Sequence, residues 1–186
     1  MILTLKKALL FCAVAVVLGA ISVYGMSMIA PREALKAVTV EGINEELGLK
    51  LTMTLDKTTF QLGEPVNISL TMTNVSNRTV KLNIMHLGHR FDFRIYNITH
   101  EDIYQWNRGH GCAMVDEVIL EPDESLSRNL QWEQICNNYR IVPRDQLVVP
   151  GTYYIVGQTG PVSYVNGERL LDVAIAESAE LEITIT

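Results

Sequence analysis

The chain is poor in several things, and each shortage excludes a class of protein. Basic residues are few. Lys and Arg total 15 against 21 Asp and Glu, for a net charge of −6, and they are scattered along the chain. A nucleic-acid partner requires a basic footprint to displace counterions from phosphate, so that class is excluded. The sequence has no Gly-x-Ser-x-Gly, no phosphate loop and no dinucleotide fingerprint. That removes the serine-hydrolase nucleophile elbow and the glycine-rich phosphate cradles. Past residue 30 no long run keeps a 3.6-residue apolar period, which excludes helix bundles and βαβ units.

Metal-ligating residues are also sparse, with 4 His and 3 Cys. His86 and His89 stand three apart where a strand runs into a glycine turn, so they point to opposite faces. His110, Cys112 and Met114 are soft-ligand types, but no His follows Cys112, and the order of a copper site fails. His100 stands alone. Asp116 and Glu117 are neighbours on a strand and diverge, while Asp123 and Glu124 sit in a turn. No metal, cofactor or catalytic site is expected, and the chain reads as non-enzymatic.

Charge is missing altogether from residues 8–30, "ALLFCAVAVVLGAISVYGMSMIA". A bilayer core takes about 20 apolar residues in a helix, more than a signal-peptide core needs. Residues 1–30 are therefore expected to be a signal anchor or transmembrane helix. Lys6 and Lys7 mark its cytoplasmic flank, which places the rest outside as a single-pass membrane protein. The rival is a cleaved signal, cut near Gly25, giving a secreted chain. Cys12 lies inside the run as a small hydrophobe. Outside the membrane, Cys112 and Cys136 are expected to form a disulfide, the alternative being two free thiols. Sequons at Asn67, Asn74, Asn77 and Asn97 are candidate glycosylation sites where about one would arise by chance.

Residues 31–46 read as a polar connector, partly helical. From 47 to 186 the period becomes 2. "LGLKLTMTL" puts Leu49, Leu51, Met53 and Leu55 on one face. "NISLTMTN" does the same with Ile68, Leu70 and Met72, and "AELEITIT" with Leu181, Ile183 and Ile185. "RFDFRIYN" sets Phe91, Phe93 and Ile95 against Asp92, Arg94 and Tyr96. Turn signals recur between such runs, the pattern of an all-β antiparallel sandwich. "PGTYYIV" adds Tyr153 or Tyr154 as a candidate corner tyrosine of an immunoglobulin-like sandwich.

Several of these motifs, in this order, resemble the intracellular proteinase inhibitor family of the BsuPI type. They are "LTMTLDKTTFQLGEPVNISLTMTN", "FDFRIYN", "LEPDESLSRNLQWEQ" and "VPGTYYIVG". The resemblance runs from about Leu49 to Ile185. It implies an immunoglobulin-like β-sandwich and a protein partner, a serine proteinase among the candidates. The family is intracellular by name, whereas this chain carries export signals. The longest loop, 137–149, is the candidate partner loop, with Tyr139, Arg140 and Arg144 as contact residues. The expectation is a membrane-tethered extracytoplasmic binding module that inhibits a proteinase through this exposed loop. The alternative is a structural or adhesive cell-envelope domain without inhibitory activity.

Overall fold

In the computed structural model, the residues described are 37–86, 90–108, 114–138, 146–160 and 162–186. The expected anchor, residues 1–30, lies outside them. Among the described residues no helix is long and apolar enough to cross a membrane.

Period-2 alternation puts one apolar face on each strand, and two such faces must cover each other. The strands are β1 (Val38–Asn44), β2 (Leu49–Leu55), β3 (Thr59–Phe60), β4 (Val66–Asn74) and β5 (Val80–His86). Then come β6 (Phe91–Tyr96), β7 (Asp102–Gln105), β8 (Met114–Leu120), β9 (Ser125–Trp132) and β10 (Ile135–Cys136). The last are β11 (Gln146–Leu147), β12 (Gly151–Thr159), β13 (Val162–Val165), β14 (Glu168–Val173) and β15 (Leu181–Ile185). They form one sheet in the order β1-β2-β4-β9, a second in the order β3-β15-β12-β6-β7 and a third in the order β14-β13-β5-β8, with β10-β11 as a small ladder. Pairing is antiparallel except where β15 meets β3.

The first two sheets pack as a β-sandwich. Leu51, Met53, Leu70 and Met72 from one layer, and Phe93, Ile155 and Ile183 from the other, are buried. Gly157 on β12 permits the close approach. A Cβ there would lie 2.4 Å from Leu70 Cδ2 and 3.4 Å from Met53 Sδ. Tyr153 is the corner residue: its hydroxyl donates to the carbonyl of Val149, four residues upstream, at 2.6 Å.

The chain passes from the first sheet to the third at one corner. β4 ends at Asn74 and the chain resumes as β5; alongside it, β8 turns at 121–124 into β9. Asn74 is fully buried and holds this corner. Its Nδ2 donates to the carbonyls of Arg78 (2.8 Å) and Leu120 (2.9 Å). Its Oδ1 accepts from Ser76 N (3.0 Å) and Ser76 Oγ (2.7 Å). Its backbone exchanges hydrogen bonds with Glu124 and Asp123.

One expectation changes and two elements are added. The connector assigned to 31–46 is a strand over Val38–Asn44, paired with β2 along its whole length. Its inward positions are Val38, Val40, Gly42 and Asn44, and the last two meet backbone rather than apolar side chains. A Cβ on Gly42 would lie 1.8 Å from the Glu177 carbonyl oxygen, and Asn44 Nδ2 donates to Ile175 O at 2.7 Å. The link between β2 and β4 holds the short strand β3, parallel to β15. An additional hairpin, β13-β14, turns on Asn166 and Gly167, whose φ values of 50° and 88° suit a tight hairpin turn.

Candidate functional site

The candidate partner residues Tyr139, Arg140 and Arg144 lie outside the described residues, as does Cys112. Both flanks of 139–145 are described, and they are built from polar side chains that act as backbone substitutes.

The upstream flank leaves β9 at Trp132, whose indole Nε1 donates to Ile135 O at 2.9 Å. Gln134 follows with φ 56° and no exposed surface. Its Nε2 donates to the carbonyls of Gln61 (2.9 Å) and Glu64 (2.7 Å), and its Oε1 accepts from Gly63 N (2.8 Å). A buried amide with every partner met is a rigid joint. The downstream flank joins it: Val148 N donates to Gln134 O (2.8 Å), and β10 pairs with β11 through Ile135–Leu147 and Cys136–Gln146.

Residues 136–138 then run along the edge of β7. The amides of Asn137 and Asn138 both donate to Ile103 O at 3.1 Å. Asn137 mimics a strand partner of Gln105, taking its N–H on Oδ1 (3.0 Å) and giving Nδ2 to its carbonyl (2.7 Å). Asn138 Nδ2 donates to Asp102 O (2.5 Å). Cys136 is a buried free thiol whose Sγ donates to Ile103 O at 3.0 Å.

Asp92 joins this brace from the other side. Its Oδ1 accepts from Phe93 N (2.8 Å) and Asn107 N (3.1 Å), and its Oδ2 from Gln105 Nε2 (2.7 Å). Gln105 therefore links Asp92 to Asn137. One cross-linked patch at β7 supports the departure of both 109–113 and 139–145, the segments holding Cys112 and the candidate loop. Alternation expects Asp92 to face outward with Arg94, yet it is only 2% exposed. Burial raises its pKa, against the lowering effect of its bonds to Gln105, Asn107 and Phe93 and of the Arg94 charge.

The sign of the pH effect follows. A folded pKa above the unfolded one means the folded state binds this proton more tightly. Stability from Asp92 is present below the unfolded carboxylate range, about pH 4, and is lost as pH rises through the raised folded value. Asp92→Asn keeps an acceptor for the two backbone amides, and a rotated Gln105 amide can accept from the new NH2. The variant is expected to melt about 2–4 °C above the parent at neutral pH. That gain should vanish in acid. Thermal melts across pH check this, and an unaltered pH slope would refute the burial account.

The other sequon residues are placed as follows. Asn67 is exposed on the outer face of β4, and Asn77 is exposed between β4 and β5. Asn97 folds over its own turn, accepting from Thr99 N (3.0 Å) and Glu101 N (2.9 Å) while Nδ2 donates to Glu101 Oε2 (2.7 Å). Asn74 is withdrawn as a glycan acceptor in the folded domain, because both hydrogens of its buried amide are committed to carbonyls. Among the described residues no group of three or more His, Cys, Asp or Glu is placed to hold a metal ion.

Comparison with known proteins adds the following. Among solved structures the chain is similar to a β-glucosidase from Listeria innocua, at 12% identity and a TM-score of 0.43, covering 74% of this chain and 16% of that one. A β-glucosidase from Erythrobacter marinus gives 13% identity, a TM-score of 0.41, and 81% and 16% coverage. The CARDB domain of a Pyrococcus furiosus protein, in complex with di-metal ions, gives 12% identity, a TM-score of 0.35, and 83% and 90% coverage. The chain thus spans only 16% of the length of those glucosidases. No curated protein matches. The sequence profile described as intracellular proteinase inhibitor matches residues 53–160, more than half of the chain. With the sandwich and its strands in place, the chain belongs to the intracellular proteinase inhibitor family of the BsuPI type.

Proposed function

We propose that this chain is a non-enzymatic binding module, tethered outside the membrane by residues 1–30, that inhibits a serine proteinase through the loop 137–149. The observation that carries the reading is the fixed base of that segment. The β10-β11 ladder, the Gln134 joint and the Asn137–Gln105 pairing hold its two ends before any partner arrives. A loop whose two ends are fixed in advance loses less entropy on binding, which is what a tight inhibitor requires. Family membership supports a proteinase as the partner. The Tyr153 corner supports reading the sandwich as immunoglobulin-like.

The test is titration of the full chain, in detergent micelles, against a panel of serine proteinases that includes subtilisin-like ones. Stoichiometric inhibition is expected, weakened about thirtyfold or more when Arg140 and Arg144 become alanine. Inhibition that ignores both substitutions would remove the loop from the mechanism. An inactive, well-folded chain would favour the envelope-module reading, which the exposed sequons at Asn67 and Asn77 support.

A further inference from the structure

An open sheet ends in edges, and natural sheets cover, shorten or charge them, because a bare edge pairs with whatever strand it meets. Among the described residues, the edges of the three main sheets are managed at every strand but one. β1 lies against the 175–179 segment, where Ala179 N donates to Glu41 O at 3.1 Å. β7 is covered by 136–138, and β3 has only two residues. β8 carries Asp116 and Glu117, and β14 carries Glu168, Arg169 and Asp172. β9 has none of these devices. It is eight residues long, without Pro, Gly or a bulge, and keeps register with β4 throughout. Its one charged side chain, Arg128, is on the inward side, with its guanidinium 5.5 Å from the Trp106 ring centroid.

The corner at Asn74 fixes the direction of the backbone groups. Asn74 N donates to Glu124 O (3.0 Å) and Asn74 O accepts from Asp123 N (2.9 Å), whereas Val75 N donates to Gly48 O (2.8 Å). Backbone groups alternate sides along a strand, so the even residues of β4 turn theirs to β9 and the odd ones to β2. Ile68, Leu70 and Met72 thereby engage Leu130, Arg128 and Leu126. Ser125, Ser127, Asn129 and Gln131 direct N–H and C=O away from β4, at the edge. Among the described residues no backbone group bonds them there. An open groove of about 420 Å³ runs beside Arg128–Gln131, where a further strand would lie.

We propose that β9 pairs with β9 of a second copy, joining two four-stranded sheets across a two-fold axis. Only an extended polypeptide offers donors and acceptors at the two-residue repeat of this edge, and the edge complements itself when run antiparallel. An edge without a device against its own copies is one that its copies occupy. The outward row, Ser125, Ser127, Asn129 and Gln131, is neutral, so nothing on it repels an identical strand. Charge then selects the register. An axis midway along β9 would set Arg128 against Arg128 of the second copy, a like-charge pair that is disfavoured. An axis through Asn129 sets Arg128 against Leu130 of the second copy and keeps 126–132 in the ladder. Ser127 then meets Gln131, and Asn129 meets Asn129, of the second copy; each such narrow pair exchanges two hydrogen bonds. Their hydroxyls and amides are donors and acceptors for one another across the seam.

The experiment uses the full chain in density-matched detergent micelles, made in a host without N-glycosylation because a glycan on Asn67 would crowd the seam. Sedimentation equilibrium is expected to show a dimer with Kd of about 1–100 µM. Asn129→Lys places two ammonium groups at the axis and should weaken it by about tenfold or more. Asn67→Lys adds the same charge to the same face one strand further in, and should change Kd by no more than about twofold. Both positions are exposed, so unchanged thermal melts separate a lost seam from a lost fold. Oxidation of Asn129→Cys should give a covalent dimer above the level of the parent's own cysteines. A narrow pair holds its Cα atoms about 5.5 Å apart, within disulfide reach. Ser125→Cys, which faces Glu133 of the second copy in this register, should not. A monomer at about 0.5 mM overturns the proposal. So does a dimer that Asn129→Lys leaves intact, which would be one held by residues 1–30, or one that Asn67→Lys dissociates equally. Association is read without a proteinase, so its failure leaves the inhibitor reading standing.

Discussion

Asn74→Ala is expected to destabilise the domain by about 3 kcal/mol, lowering Tm by roughly 6–12 °C. The deletion strands the Leu120 carbonyl, which has no exposed route to water at this buried corner. It also frees Ser76, whose N and Oγ both lean on Asn74 Oδ1. An orphaned buried acceptor costs about 1–3 kcal/mol, and the loosened turn adds to that. Asn74→Asp should be no rescue at neutral pH, since a carboxylate would face two carbonyls that need a donor. Ser76→Ala, which removes only one contact of the set, should cost about 1 kcal/mol. Urea unfolding of the three variants distinguishes a hub from an ordinary turn residue. Equal effects of Asn74→Ala and Ser76→Ala would sink the hub account.

Gly42→Ala is the second large effect, and its cause is contact with backbone. The added Cβ would lie 1.8 Å from the Glu177 carbonyl oxygen, 2.9 Å from its carbon and 3.2 Å from Ser178 Cα. None of these can swing away as a side-chain tip does. Relief requires β1 to move off the 175–179 segment. That movement would also part Asn44 from Ile175 O (2.7 Å) and Ala179 N from Glu41 O (3.1 Å). A loss of about 3 kcal/mol or more is expected, beyond the usual range for a single added methyl. Gly157→Ala provides the contrast. Its nearest neighbour, at 2.4 Å, is the methyl end of Leu70, which can rotate, so about 1 kcal/mol is expected there. Hydrogen exchange should show the β1 amides of Gly42→Ala opening first. Uniform protection of β1 in that variant would contradict the steric account.

Alternation made the central strands legible, because buried positions two apart had to be apolar. Leu49, Leu51, Met53 and Leu55 are all fully buried, as the sequence implies. The same rule failed at β1, whose inner face uses a glycine and an asparagine to meet backbone, so its apolar signal stops at Val40. Asp92 shows a second limit. Period 2 assigns a residue to a face but is silent on what covers that face, and here the 105–107 turn folds back over it. The base of the candidate loop was not legible. Gln134, Asn137 and Asn138 look like loop residues in a string of letters; their work as joints depends on carbonyls of Gln61, Glu64, Ile103 and Asp102, 34 to 73 residues away. The Asn166-Gly167 step was a local hairpin signal, and it marks the hairpin that alternation alone did not deliver.

The ladder at the foot of 139–145 also decides what a proteolytic cut there would accomplish. Cleavage of one peptide bond between Asn138 and Gln146 would not release a fragment. The new carboxylate would stay on a chain fixed at Cys136 and Asn138, and the new amine on a chain fixed at Gln146 and Val148. The two ends would remain at high effective concentration, as if joined by a short linker. A proteinase attacking this segment would gain little entropy from hydrolysis, and its acylated intermediate would face a tethered amine able to reverse the step. A nicked chain should therefore run as one species under native conditions and separate only when the fold is lost.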